Sequence, residues 1–417
     1  MKKIVMAFFL FFICITVLAQ PRTDAFLRQL LSSHASDLLK QILRQPDTFR
    51  YQLIYTQINR DKHNKPHFTN YYLNVDRNLY FNPASTVKLP AALVALEKMN
   101  KLKRKGVDIY TPMLTDSSYE RQVNVWTDTS SANGLPSVAQ YIRRIFLVSD
   151  NDAYNRLYEF DGQQLLNAKL WQKGYTDCRI TRRFVVMNED QNRHTNAIRF
   201  VKNGRLIYKQ APAFNQQPFD FSKKIFIGKA HYDWNDSLVA SPMDFTTHNN
   251  IPLGDLQQML QSVLFPASVP RKKRFHIAEK DRLFLLKYMS ELPSESRHPA
   301  YDTSEYFDSY TKFFFFKAGR RKIPSFIRSF NKPGWSYGFL TDVAYIVDFK
   351  HNVEFMLSGT IYVNSDAVLN DDKYDYDEIG YPFFRETGEI LYQYELNRTR
   401  KYAPDLQSFR FDYTTDH

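Results

Sequence analysis

Glycine and cysteine are both scarce in this chain of 417 residues, at 13 and two. So few glycines leave no G-x-G-x-x-G and no Walker-type loop, which excludes the common nucleotide-binding enzymes. Cys14 lies in an N-terminal apolar run and Cys178 is otherwise alone, so the mature chain can form no internal disulfide. The ten histidines are scattered, with no H-x-H and no H-E-x-x-H, so no metal and no cofactor is expected. No internal repeat or low-complexity segment is visible. Beyond the N-terminus no apolar run approaches the roughly 20 residues of a membrane span. Phe313 to Phe316 is too short and reads as part of a buried strand, Lys312 to Phe316.

What is present suits a large packed enzyme. Hydrophobic residues make up 43% and aromatics 16%, which excludes global disorder. The formal charge of +12 is dispersed, apart from Arg271-Lys272-Lys273-Arg274 and Arg320-Arg321-Lys322. Neither run comes with zinc-finger spacing or a basic heptad, so a solvated face is expected and no nucleic-acid partner. Lys2 and Lys3, the apolar run Ile4 to Leu18 and the close Val17-Leu18-Ala19 read as a signal peptide cut before Gln20. A retained N-terminal anchor is the alternative. Bulky Phe12 and Ile13 before Cys14 argue against lipidation there. The expected compartment is a bacterial periplasm, with no membrane span after cleavage.

Hydrophobic periodicity predicts a helix over residues 22 to 45, stopped by Pro46, then strands Arg50 to Ile58 and Phe68 to Val75. A helical stretch follows from Thr86 to about Lys103, then helices Val138 to Phe146 and Asp152 to Phe160. The region from about 181 to 250 is polar and irregular, except for a hairpin, Ala197 to Lys209, turning at Asn203-Gly204. Helices Leu253 to Leu264 and Ala278 to Leu292 precede strands Ser325 to Asn331, Thr341 to Phe349 and Val353 to Val363. A last helix covers Tyr381 to Arg398. One antiparallel sheet built from both chain ends satisfies this order, with the terminal helices on one face and a helical block near the other.

Three motifs carry chemistry. Ser85-Thr86-Val87-Lys88 sets a hydroxyl and an amine one helical turn apart on one face. A neutral lysine there can take the serine proton, and burial favours the neutral form. The plainer reading is a serine near a helix start with a surface lysine. Ser149-Asp150-Asn151 follows an apolar run and opens a helix; alone, it reads equally as an N-cap. Lys332-Pro333-Gly334 follows one strand and, through Trp335-Ser336-Tyr337-Gly338, precedes another, where a simple turn is the alternative. Lys317-Ala318-Gly319 competes with it; Lys332 is preferred because the strand that should come next is clearly there.

In this order the motifs resemble the S-x-x-K, S-D-N and K-T-G set of class A β-lactamases and penicillin-binding proteins. Ser85 and Ser149 lie 64 residues apart, close to the family's spacing, and Asp244-Phe245-Thr246-Thr247 looks like its segment after the Ω-loop. The resemblance implies a serine β-lactamase-like α/β (α+β) fold. Residues 20–84 and 251–417 would form the sheet domain, behind a signal peptide at 1–19. Residues 85–250 would form a mostly helical subdomain with an Ω-like loop and a hairpin insertion at about 195–240. It implies Ser85 as nucleophile, Lys88 as its base, Ser149 as proton relay and Lys332 as the nearby positive charge. Asn151 and Gly334 would bind substrate, and the N–H groups of Ser85 and Trp335 would form the oxyanion hole.

Two departures stand out. Pro333 replaces a Thr or Ser, and Phe184 falls where the deacylating Glu belongs, with Glu189 as the nearest substitute or an ordinary loop carboxylate. Three functions fit: a class A-like β-lactamase, a D,D-peptidase or esterase relative that releases penicillin slowly, or a non-catalytic binding protein. The substrate would be a small molecule or peptidoglycan-like. If the chain is exported as read, mass spectrometry of protein from its native host finds a mature start at or beside Gln20. An intact Met1 chain in the soluble cytosol would contradict that.

Overall fold

Every side chain of Phe339–Asp348 and of Val353–Tyr362 is buried, as expected of strands covered on both faces. A computed structural model describing residues 21–414 shows why. The proposed signal peptide and its cleavage boundary at Gln20 lie outside the described residues. Five strands form the main sheet: β1 Gln52–Arg60, β2 Pro66–Leu73, β3 Ile327–Ser336, β4 Phe339–Asp348 and β5 Val353–Tyr362. Their spatial order is β3-β4-β5-β1-β2, and each neighbouring pair is antiparallel. The β5–β1 pairing closes the sheet between the two ends of the chain.

Strand periodicity sorts side chains between two cores. Leu340, Ala344 and Ile346 of β4 join Leu53 and Tyr55 of β1 in one core. That face is covered by α1 Ala25–His34, α2 Asp37–Arg44 and a C-terminal helix, Tyr381–Asn397, through Leu27, Leu39 and Phe384. The alternate residues Val343, Tyr345 and Val347 face the helical block. This block contains α3 Lys88–Leu102, α4 Val138–Leu147, α5 Asn151–Asp161, α6 Gln163–Gln172, α7 Leu253–Leu264 and α8 Glu279–Ser290. Buried residues line nearly all sides of α3, which marks it as an interior helix. The expected antiparallel sheet with helices on both faces is therefore present.

Three local expectations need correction. The helix predicted over residues 22 to 45 is two helices, broken where Ser36 caps α2 by accepting from Leu39 N at 3.2 Å. The Ser36 hydroxyl also donates to Glu386 at 2.7 Å, tying the break to the last helix. Pro46 does not end helical structure, but opens a further turn, Pro46–Phe49. Lys312 to Phe316 is not a strand. Phe315 has φ +71°, and the run bends so that Phe313 and Phe314 pack on Phe384 at ring distances of 5.6 and 5.0 Å. A short apolar run shows that a segment is buried, but not whether its rings alternate or cluster. Lys332-Pro333-Gly334 lies inside β3 and is not a turn; the hairpin turns at Tyr337-Gly338, both at positive φ. Proline is tolerated there because β3 is an edge strand. The hairpin at Asn203-Gly204 is found as read, between strands Ala197–Lys202 and Arg205–Gln210.

Candidate active site

Ser85 sits in a 3₁₀ turn, Ala84–Val87, that runs directly into α3. Asn82 accepts from Ala84 N at 2.9 Å and the Thr86 hydroxyl donates to Pro83 O at 2.6 Å, fixing the turn. Ala84 is held at φ +43°, an uncommon conformation for a residue with a Cβ. The entry to α3 thus points Ser85 outward and Lys88 inward: Ser85 is partly exposed, whereas Lys88 is fully buried.

The three motifs meet at one point. Lys88 Nζ lies 2.8 Å from Ser85 Oγ, 3.2 Å from Ser149 Oγ and 2.7 Å from Asn151 Oδ1, and it also donates to Ser149 O. Lys332 Nζ, from β3, lies 2.8 Å from the same Ser149 Oγ and 2.8 Å from Pro333 O. Ser149 reaches between the two amines with φ +61°. Strain of this kind persists only where the surroundings impose it, and it concentrates at functional sites. The N-cap reading of Ser149-Asp150-Asn151 holds as well, since Asp150 accepts from Ala153 N at 2.8 Å. One segment therefore starts α5 and presents Ser149 to both lysines.

Burial sets the protonation of the site. It brings Lys88 down to about 7, against a small opposing pull from Asp150. Burial also holds Lys332 well below an ordinary lysine, and the Lys88 cation pushes it the same way. Behind Lys332, Lys312 Nζ bonds Asn331 Oδ1 at 2.8 Å, and Asn331 Nδ2 bonds both oxygens of Asp342 at 3.0 and 3.1 Å. Asp342 is pushed up to about 7 by burial, against Asn331, Lys312 and Lys332. This second layer gave no local sequence signal, because its members lie in the irregular Phe run and on two strands.

Gly334 is where β3 meets the Ser85 turn. A Cβ there would stand 2.7 Å from Ser85 N, 2.8 Å from Pro83 O and 2.9 Å from Thr86 N, all backbone atoms that cannot swing aside. Trp335 follows on the same edge and, with Ser85 and Asn151, lines an open cleft of about 500 Å³. Phe184, Val185, Val186 and Met187 form its apolar wall, while Arg182, His248 and Tyr337 line another part. Among the described residues no Asp or Glu lines this cleft. Phe184 packs on Tyr154 at 4.7 Å, and its ring centre is 5.2 Å from Lys88 Nζ. Glu189 is not in the cleft: it is exposed and pairs with Arg193 at 3.0 Å. Of its two readings, the ordinary loop carboxylate is the one the geometry supports. Lys317 lies over the rings of Tyr310, Phe307 and Trp335 at 4.2, 4.7 and 5.5 Å.

A sequence model of the β-lactamase enzyme family matches residues 35–217. The matched segment holds Ser85, Lys88, Ser149, Asn151 and the loop to Phe184, ends before Lys332, and supports a β-lactamase-like serine hydrolase fold. No curated protein matches the sequence. Among solved structures, a β-lactamase from Xanthomonas campestris is 13% identical, over 85% of this chain and 98% of its own, with a TM-score of 0.47. A β-lactamase from Burkholderia ambifaria is 14% identical over 86% and 99%, with a TM-score of 0.46. An ancestral class A β-lactamase is 14% identical over 86% and 100%, with a TM-score of 0.44.

The close approach at Gly334 yields a direct test. Gly334→Ala should slow acylation of Ser85 by at least about 10²-fold, the scale of a displacement near 1 Å at a reacting centre. Stopped-flow acylation by an activated ester measures it. An unchanged rate would show that β3 does not set the substrate's position.

Proposed function

We propose that this is an exported, class A-like serine hydrolase that is acylated at Ser85 by a β-lactam or a related amide or ester and deacylates slowly. The observation that carries the reading is the convergence of Ser85, Lys88, Ser149 and Lys332 on one buried hydrogen-bond network. Neutral Lys88 takes the Ser85 proton as Oγ bonds to the substrate carbonyl carbon. The Ser85 and Trp335 N–H groups receive the developing oxyanion. As the carbonyl–nitrogen bond breaks, Ser149 passes a proton to the leaving nitrogen and regains one from the lysines beside it. Asn151 contacts the amide of the acyl side chain, and Gly334 lets the substrate lie along β3. The exported location rests on the signal-like N-terminus.

Release requires water to attack the acyl carbon, with a base to take its proton. Phe184, which the resemblance aligns with the deacylating carboxylate, has its ring 5.2 Å from Lys88 Nζ, and among the described residues no Asp or Glu lines the cleft. A positioned general base is worth about 10²- to 10⁴-fold, so the second step becomes limiting. With a chromogenic cephalosporin we expect a burst of product equal in amount to the enzyme, followed by slow turnover. Ser85→Ala should abolish the burst, whereas Glu189→Gln should alter neither phase, because its carboxylate faces solvent beside Arg193. Fast steady turnover with no burst would overturn slow deacylation. Failure of every acylating probe to label Ser85 would overturn the hydrolase itself.

A further inference from the structure

Two adjacent arginines are treated very differently by the fold. Arg183 is buried and fully engaged, donating to Glu159 at 3.0 Å, Gln191 O at 3.2 Å and His194 O at 2.7 Å. Arg182 lines the cleft that holds Ser85, and among the described residues no carboxylate pairs with it. Its guanidinium donates to His248 Nε2 at 3.0 Å and to Thr247 Oγ1 at 3.3 Å. Neither acceptor carries charge: burial, and then Arg182 itself, take His248 down to about 3, although exposed Asp244 pulls the other way. These bonds use two of five N–H donors on a group that stays cationic. A partly buried cation without a counter-charge is costly, and an arriving anion would relieve that cost.

We infer that Arg182 binds an anionic group, a carboxylate or similar oxyanion, on the acyl portion of the substrate. The geometry assigns the acyl side because Arg182 lines the same cleft as Ser85 and Asn151, the residue proposed to meet the acyl side chain, while Ser149 and Lys332, proposed to serve the leaving nitrogen, do not line it. His248 and Thr247 hold the guanidinium in place and leave its remaining donors for the ligand. Planar guanidinium and carboxylate groups match in two-point geometry, which favours a carboxylate over a monodentate anion. The inference rests on Ser85 being the acylated nucleophile, and it narrows the substrate to an acid on that side.

Two p-nitrophenyl esters test it: the acetate, which is neutral, and the glutarate monoester, whose acyl chain ends in a carboxylate. The wild type should prefer the glutarate in kcat/KM. In Arg182→Gln that preference should fall about 10- to 100-fold, the range for a hydrogen bond to a charged partner. Arg182→Lys should retain part of it, because charge remains. Should the glutamine variant not fold, the wild type decides: free glutarate should protect Ser85 from the acetate ester at concentrations where neutral glutaramide does not. No preference, a preference unchanged in Arg182→Gln, or equal protection by both compounds would overturn the inference and leave Ser85 acylation standing. Labelling of Ser85 by neither ester would instead overturn the hydrolase reading beneath it.

Discussion

Two lysine amines, Lys88 and Lys332, lie within 3.2 and 2.8 Å of the Ser149 hydroxyl, and both lysines are fully buried. Moving an ammonium out of water costs several kcal/mol, and two of them side by side repel as well. The surroundings therefore favour a shared, reduced proton load, with both amines below the ordinary lysine range. Much of the architecture serves this arrangement. Helix α3 is interior so that Lys88 can be dry, and β3 is an edge strand so that it can run beside Ser85. Ser149 takes a left-handed backbone to reach both amines. Asp342, Asn331 and Lys312 then tie the back of β3 into the core through hydrogen bonds that leave little slack.

The open side of the site has a different character. It combines an apolar wall around Phe184 with the cation of Arg182, and among the described residues no carboxylate lines it. Acylation and release thus draw on unequal resources. In the proposed mechanism Lys88 and Ser149 serve the first step as base and proton relay, and among the described residues no carboxylate of the cleft offers a comparable base for the second. Pro333 adds to the difference, since it removes a hydroxyl from β3 at the leaving-group end.

Much of the site was legible because its chemistry is compressed into short motifs. Ser85 and Lys88 announce themselves by one-turn spacing before an apolar helix. Lys332 does so by standing between two strand-like runs, although its own residues belong to the first strand and not to a turn. Buried β4 and β5 were equally plain, because long apolar runs bounded by polar turns leave few alternatives. What escaped depends on contacts far apart in sequence. The break at Ser36 is fixed by Glu386, and the bend at Phe315 by the last helix. Arg182 and Arg183 are neighbours in sequence, and contacts with Glu159, Gln191 O and His194 O, all distant from any local pattern, decide that Arg183 is the one satisfied. Glu189 could be weighed but not placed, because its partner Arg193 is one turn away in a short helix with few local signals.

If a neutral Lys88 drives acylation, the rate of that step must follow the titration of its amine. Single-turnover acylation of Ser85 by a neutral activated ester should rise about tenfold per pH unit below about 7 and level off above it, as the burial-lowered amine loses its proton. A rate that is flat through neutrality, or that keeps rising toward the ordinary lysine range near 10.5, would contradict Lys88 as the base.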